Sequence, residues 1–385
     1  MQWILMKKVL IVTTVSGFLP QFEKNNVKLL REAGCEIHYA STFKNPIYAF
    51  QEADLKMQGI RLHQIDIAKS PFKIRTNLRA VRQLLHIIEE NAIDIVHCHN
   101  PMGGAAGRAA AWLSGRKPYV IYTAHGFHFY KGAPMRNWML FYPAERLLAR
   151  MTDLIVTINR EDFERAQKFR LKAGGSVFQI HSVGVDRKRF SPKQEKGENK
   201  RKELRIPQKA FHIITAAELN DNKNQKVIVG ALAALTQQDI YYTVCGKGQG
   251  ECRLRELIRE KGLENRIRLI GFRTDMEEIL QTADCFAFPS YREGFGVAAV
   301  EALLCGVPLI VSDNRGTREY AVQGKNALIC RADSTEEFAQ AINTLYKEKA
   351  LRERMAHCCR DSAMKFTTEE VEKTMKEVYG KALAT

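Results

Sequence analysis

Two glutamates stand eight residues apart in PSYREGFGVAAVEALLCGVPLIVSD, residues 289–313: Glu293 ahead of a Gly-Phe-Gly turn, and Glu301 inside the apolar run AAVEALL. A carboxylate among Ala, Val and Leu is costly to bury unless something hydrogen-bonds to it. The surrounding residues suggest what that something is. Gly294 and Gly296 let a ligand come close to the backbone. The N–H groups at 296–298 open a helix that Gly306 closes, and a helix start of this kind is an anion site. Val297 lies one turn before Glu301 on the same face. A phosphate at the helix start therefore places a ribose beside Glu301, while Glu293, at the end of the strand CFAFPS, reaches the group beyond the phosphates. The pair reads as clamps for the two polar ends of a sugar nucleotide. The plainer alternative is a solvated Glu301 on a surface helix.

Histidines supply the other candidates. His97 and His99, in DIVHCHN, are two apart on a strand and share a face. Such a pair suggests a metal, but no third ligand is evident, and no metal is expected. His125 ends the strand YVIYTAH, and His128 follows it. The nine cysteines include no Cys-x-x-Cys, a reduced cytoplasmic pattern and neither a disulfide framework nor a zinc site.

These residues must be held by strand ends. Short β-branched runs (VLIVTTV, EIHYAS, DIVHCHN, YVIYTAH, LIVTIN and VFQIHSV, then HIITAAEL, YYTVCG, IRLIGF, CFAFPS and PLIVSD) alternate with helical segments such as 22–33 and 75–90. Alternation of this kind predicts an α/β chain of two Rossmann-like parallel sheets, each wrapped by helices and facing across a cleft. At 385 residues two domains are the default. We place an N-terminal domain at 1–185, a polar linker at 186–207, a C-terminal domain at 208–365 and a closing helix at 366–385 that packs back on the N-terminal domain. Ligands of such sheets bind outside the carboxyl ends of the strands. No run is long enough to span a membrane, and the N-terminus lacks a small-residue cleavage site.

EGFGVAAVE resembles the E-G-F-G-x-x-x-x-E signature of glycosyltransferase family 4, retaining enzymes of the two-domain GT-B fold. GFRTDMEEILQTADCFAFPS, NRGTREYAVQGKNALI and VGVDRKRF resemble that family's flanking and interdomain segments. TTVSGF, DIVHCHNP and TAHGFHFY are similar to its bacterial exopolysaccharide and capsule members. The resemblance implies a nucleotide-sugar donor, expected to be a UDP-sugar, with Glu301 on the ribose and Glu293 facing the sugar. The backbone N–H groups of Gly294, Phe295 and Gly296 then lie near the sugar hydroxyls and that of Val297 near a phosphate. It also implies Lys223 on the departing diphosphate, Gly17 where the backbone approaches that diphosphate, and His125 near the donor sugar. Family members add an Arg where this chain has Glu218; Arg315 is the candidate replacement. With no Asp-x-Asp, catalysis is expected to need no metal or other cofactor.

Net charge is +16, of which residues 1–185 carry +11 and 186–385 carry +5. No nucleic-acid module accompanies this excess, so nucleic acid is not the expected partner. The basic amphipathic stretch SPFKIRTNLRAVRQLLHI and the aromatic segment 127–150 suit an anionic membrane surface. The expected acceptor is a saccharide linked to a polyprenyl diphosphate, with His97, His99 and His128 as acceptor-side candidates. The expected location is cytoplasmic, peripheral on the inner face of the plasma membrane. Trp138 and Phe141 deepen the membrane contact if they face outward. Competing readings are a nucleotide-sugar epimerase of the same architecture and a non-catalytic sugar-nucleotide sensor or scaffold.

Overall fold

The computed structural model describes residues 6–44, 51–193 and 197–385. They form two compact units: one of the described residues up to Val183 together with Glu369–Thr385, the other of Gly184–Thr368.

The first unit is built on seven strands: β1 (Lys8–Val12), β2 (Glu36–Ser41), β3 (Arg61–Gln64), β4 (Ile95–His99), β5 (Tyr119–Ala124), β6 (Leu154–Thr157) and β7 (Ser176–Gln179). Their order is β3-β2-β1-β4-β5-β6-β7 and every pairing is parallel. Parallel neighbours need long crossovers, which cover both faces with helices and make central strands almost wholly apolar. Val9 to Val12 accordingly have no exposed surface. The order reverses between β1 and β4, bringing the loops after these two strands together at the carboxyl edge, where such sheets take ligands. Small residues of the helix Pro101–Leu113 make that meeting close. The Gly103 N–H donates to Thr14 Oγ1 at 2.9 Å, and a Cβ on Gly103 would lie 3.2 Å from the Thr13 carbonyl carbon. The final helix, Thr368–Leu383, buries Val371, Met375, Val378 and Tyr379 in this unit, as expected of a helix returning to the N-terminal domain.

The second unit has six strands: β8 (Phe211–Ala216), β9 (Ile240–Cys245), β10 (Ile267–Leu269), β11 (Cys285–Phe288), β12 (Leu309–Ser312) and β13 (Ala327–Cys330). The order is β10-β9-β8-β11-β12-β13, again all parallel, with its reversal between β8 and β11. Ile213, Tyr242, Val244, Ile310 and Phe338 centre its core.

Residues 186–207, expected as a linker from their charge, carry the helix Glu198–Glu203 and bury Phe190, Leu204 and Ile206 in the second unit. Three scattered apolar residues in a charged stretch leave no periodic signal. The aromatic segment divides likewise. Phe127 and Phe129 are core, and Trp138 and Phe141 pack against it instead of facing outward. On the same helix, Met135–Ala149, it is Met135, Met139, Leu140 and Leu147 that are exposed. The helix Ile74–Glu90 buries Ala80, Leu84, Ile87 and Ile88, while Phe72, Ile74 and Leu78 stay exposed among Lys73, Arg75 and Arg79. All nine cysteines are free. Among the described residues, no helix is long and apolar enough to cross a membrane.

Candidate active site

The reversal in the second sheet gathers most of the predicted donor residues. The loop after β8 and the loop after β11 are laced together: the Tyr291 N–H donates to the Asn222 carbonyl at 2.8 Å, and Asn222 Nδ2 donates to the Arg292 carbonyl at 2.9 Å. This lacing brings Lys223 and Glu293 into an ion pair, Lys223 Nζ to Glu293 Oε1, at 2.6 Å. The Lys223 ammonium also lies 5.4 Å from the centre of the Phe288 ring. The loop after β12 closes the third side. Arg315 is buried, and its Nε donates to the Glu293 carbonyl at 3.4 Å. Asn314 Nδ2 donates to the Ser290 carbonyl at 3.0 Å. Glu218, at the position where the family pattern has an arginine, is exposed.

Beyond Glu293 the chain turns through Gly294, Phe295 and Gly296 into the helix Val297–Leu304. Phe295 anchors the turn by packing edge-on against Tyr320 and Phe366, with ring centres 5.5 and 5.2 Å away. Gly296 has φ +100°, and a Cβ there would come within 2.6 Å of Tyr320 Oη and 2.7 Å of Phe288 Cε1. Only glycine meets both conditions. No side chain caps this helix, so its first N–H groups remain available to an anion. Glu301, one turn on, is partly buried. No described residue hydrogen-bonds its carboxylate, and desolvation pushes its pKa up to about 7; Arg189 opposes the rise and Glu277 adds to it.

In the first unit, Gly17 has φ +71° and opens the short helix Phe18–Phe22 in the loop after β1. The histidines of β4 and β5 are brought together there, with a residue that sequence reasoning missed. Glu23 is buried, its Oε1 lying 3.2 Å from His99 Nδ1 and 3.7 Å from His125 Nε2. His99 Nδ1 and His125 Nε2 are 3.1 Å apart. Burial pushes the Glu23 carboxyl up to about 8, opposed by the hydrogen bond from Asn26. Burial also pushes His125 down to about 4 and His99 well below the usual imidazole range. His97 is fully buried and bonded at both nitrogens, to Tyr379 Oη at 2.9 Å and Thr123 Oγ1 at 2.8 Å, so it has no surface to offer an acceptor. His99 is equally buried, whereas the His125 side chain keeps 18% of its surface. His128 packs against Phe141, the ring centres 4.6 Å apart and the planes tilted by 33°. Glu23, between Phe22 and Lys24, carries no local pattern that distinguishes it from a solvated acid; only the fold pairs it with β4 and β5.

Comparison with known proteins agrees with both halves. Residues 8–159 match the family described as Glycosyl transferase 4-like, and residues 196–360 match Glycosyl transferases group 1. EpsD of Bacillus subtilis (strain 168), a glycosyltransferase by name, is 34% identical, covering 97% of this chain and 96% of its own. An Escherichia coli enzyme, UDP-Gal:alpha-D-GlcNAc-diphosphoundecaprenol alpha-1,3-galactosyltransferase, is 26% identical over 73% of this chain and 74% of its own. Among solved structures, Anabaena HepE in complex with UDP and glucose superposes with a TM-score of 0.79 at 18% identity, covering 97% of this chain and 100% of HepE.

Proposed function

Because the chain belongs to the glycosyltransferase 4-like and group 1 families, and is a glycosyltransferase of the GT-B type, we propose that it transfers a sugar with retention from a UDP-sugar to a polyprenyl-diphosphate-linked saccharide. The setting is exopolysaccharide or capsule synthesis at the cytoplasmic face of the membrane. The observation that carries the donor half is the convergence at the second sheet's reversal. Lys223, Glu293 and Arg315 meet beside an uncapped helix start, and a carboxylate that no described residue hydrogen-bonds stands one turn inside. In this reading Glu301 takes the ribose, and the Val297 N–H and Lys223 take the diphosphate. Glu293 and the backbone of Gly294–Gly296 orient the sugar.

Negative charge grows on the diphosphate as the glycosidic bond breaks. A cation and oriented N–H groups therefore stabilise the transition state more than the ground state. Lys223 reaches the phosphate only by giving up part of its bond to Glu293, which couples diphosphate binding to the placement of the sugar's carboxylate partner. The acceptor hydroxyl attacks the face the diphosphate leaves, its proton passes to the departing phosphate, and no side-chain base is assigned. Transfer is expected to continue in EDTA; loss that added Mg²⁺ restores would refute metal independence.

The acceptor half is supported by the exposed Phe72, Ile74 and Leu78 among basic residues, and by Met135, Met139 and Leu147 on the neighbouring helix. Both helices pack on Pro101–Leu113. The E. coli relative is named for a diphosphoundecaprenol-linked acceptor, which agrees with a lipid-facing surface here.

The test is incubation of the protein with labelled UDP-sugars and a polyprenyl-diphosphate-linked saccharide. A new glycoside with the donor's anomeric configuration is the expected product. An epimerised donor without a glycoside points to the epimerase reading, and binding without turnover to the sensor; either outcome overturns the proposal.

A further inference from the structure

Glu23 and His99 have no part in the transfer just described, yet they form a fully buried row behind His125. We infer that they are positioning residues which hold His125 in a single tautomer, Nε2 accepting and Nδ1–H left as an outward donor to a ligand oxygen. The inference rests on the expectation, implied by the family resemblance, that His125 lies near the donor sugar.

The tautomers follow from counting donors. A neutral imidazole has one N–H and one acceptor nitrogen. His99 Nε2 is buried and has no partner among the described residues. A buried N–H without an acceptor is costly, and a bare nitrogen there is the cheaper choice. The His99 proton therefore sits on Nδ1, which faces Glu23 Oε1 at 3.2 Å and His125 Nε2 at 3.1 Å. Glu23 Oε1 stands beside that nitrogen at 3.2 Å, and its other oxygen accepts from Asn26 Nδ2, while the hydrogen bond of His99 Nδ1 runs to His125. His125 Nε2 must then be the acceptor of the same N–H, which leaves its own proton on Nδ1. No described residue takes up that nitrogen, and the His125 ring is the one of the three with exposed surface.

The ring is held as well as protonated in one way. Phe18, next to Gly17, meets it edge-on with centres 4.9 Å apart. His97, whose ring centre is 4.1 Å from that of His99, is tied to Tyr379 and Thr123 and contributes no proton to the row.

The same three atoms (Glu23 Oε1, His99 Nδ1 and His125 Nε2) lie close enough together to hold a metal ion. The orphaned His99 Nε2 decides against it. A metal on Nδ1 would force the His99 proton onto Nε2, where no described residue accepts it, whereas imidazoles that bind metals give that proton to a partner. The row fits hydrogen bonding better than coordination.

The primary test reads the tautomer directly, without relying on catalysis. Long-range ¹H–¹⁵N correlation spectra of the full-length protein distinguish an Nδ1–H from an Nε2–H imidazole, and His125→Gln identifies the His125 signals. Both His99 and His125 are expected as Nδ1–H forms. His99→Leu should release His125 to a mixture. His99→Asn, which keeps an N–H donor near the Nδ1 position, should restore the single form. In transfer assays His99→Leu and Glu23→Leu should lower kcat about tenfold or more with donor KM changed less than threefold, and His99→Asn should recover most of the loss. If the protein transfers no sugar, the spectra still decide the inference. Three results overturn it: an Nε2–H form of His125 in the wild type, a tautomer unmoved by His99→Leu in a folded variant, or stoichiometric zinc in the purified protein that Glu23→Gln abolishes.

Discussion

Replacing Glu301 by glutamine should make the protein more stable and a poorer nucleotide binder, and the stability gain should appear only above acid pH. The carboxyl titrates at about 7 in the folded chain, mainly through desolvation, against an ordinary value of 4.5. Because the folded pKa is the higher one, the folded state holds the proton more tightly. That advantage is complete below pH 4.5 and is lost as pH rises through 7. The gap caps the cost of ionised Glu301 near 3 kcal/mol, at about 1.4 kcal/mol per pH unit. Partial exposure reduces this to about 1–2 kcal/mol. Glutamine carries no such charge, so the difference between variant and wild type should be near zero at pH 4.5 and reach about 1–2 kcal/mol at pH 8. For a domain of this size that is a rise of roughly 2–8 °C in melting temperature, measurable by calorimetry at the two pH values. UDP affinity should fall roughly tenfold to a hundredfold, the worth of about 1.5–3 kcal/mol for a hydrogen bond to a charged group. A variant no more stable than wild type at pH 8, or equally stabilised at both pH values, refutes the account of buried charge. Unchanged UDP affinity by titration calorimetry refutes the assignment to the ribose.

Lys223→Ala should lower kcat by tenfold or more while donor affinity changes less, since the charge it meets grows in the transition state; a rise in KM alone would refute that role. Because Lys223 and Glu293 touch, Lys223→Ala combined with Glu293→Ala should cost less than the sum of the two single changes, and strict additivity would mean the pair does not act together. Gly296→Ala should destabilise the second unit by at least about 1–3 kcal/mol and weaken UDP binding, because the left-handed backbone and the contact with Tyr320 Oη both oppose a side chain; a melting curve like wild type would show that the turn relaxes freely. The protein should sediment at low salt with vesicles of anionic lipid and leave them at high salt, and Met139→Ser with Phe72→Ser should weaken the association; equal partitioning onto neutral vesicles would remove charge from the explanation.

What could be read from the sequence was what lies close along the chain. Glu293, the Gly-Phe-Gly turn and Glu301 occupy one strand-turn-helix, so their relation follows from helical and strand geometry alone. The two parallel sheets were legible for a similar reason, since strands covered on both faces leave apolar runs that alternate with helices. Pairings across the sheet were not. Lys223 and Glu293 were each assigned to the donor, but nothing in 220–224 signals that Glu293 is its partner until β8 and β11 are neighbours. Glu23 shows the same limit more sharply, because its meaning comes entirely from the ends of β4 and β5. In the segment 127–150 the sequence left open which residues face outward; packing turns Trp138 and Phe141 inward and leaves Met135 and Met139 exposed.

The final helix has a consequence for how the protein comes to exist. Its Tyr379 is hydrogen-bonded to His97 of β4, a strand made near the beginning of synthesis. Domains usually fold in the order in which they leave the ribosome. Here the first unit waits for Glu369–Thr385, and so for translation of the whole second unit. During that interval the buried row of histidines lacks one of its walls. A nascent chain stalled at Thr368 would carry every residue of the second unit while the first remained unfinished, the surface on which a chaperone has longest to act.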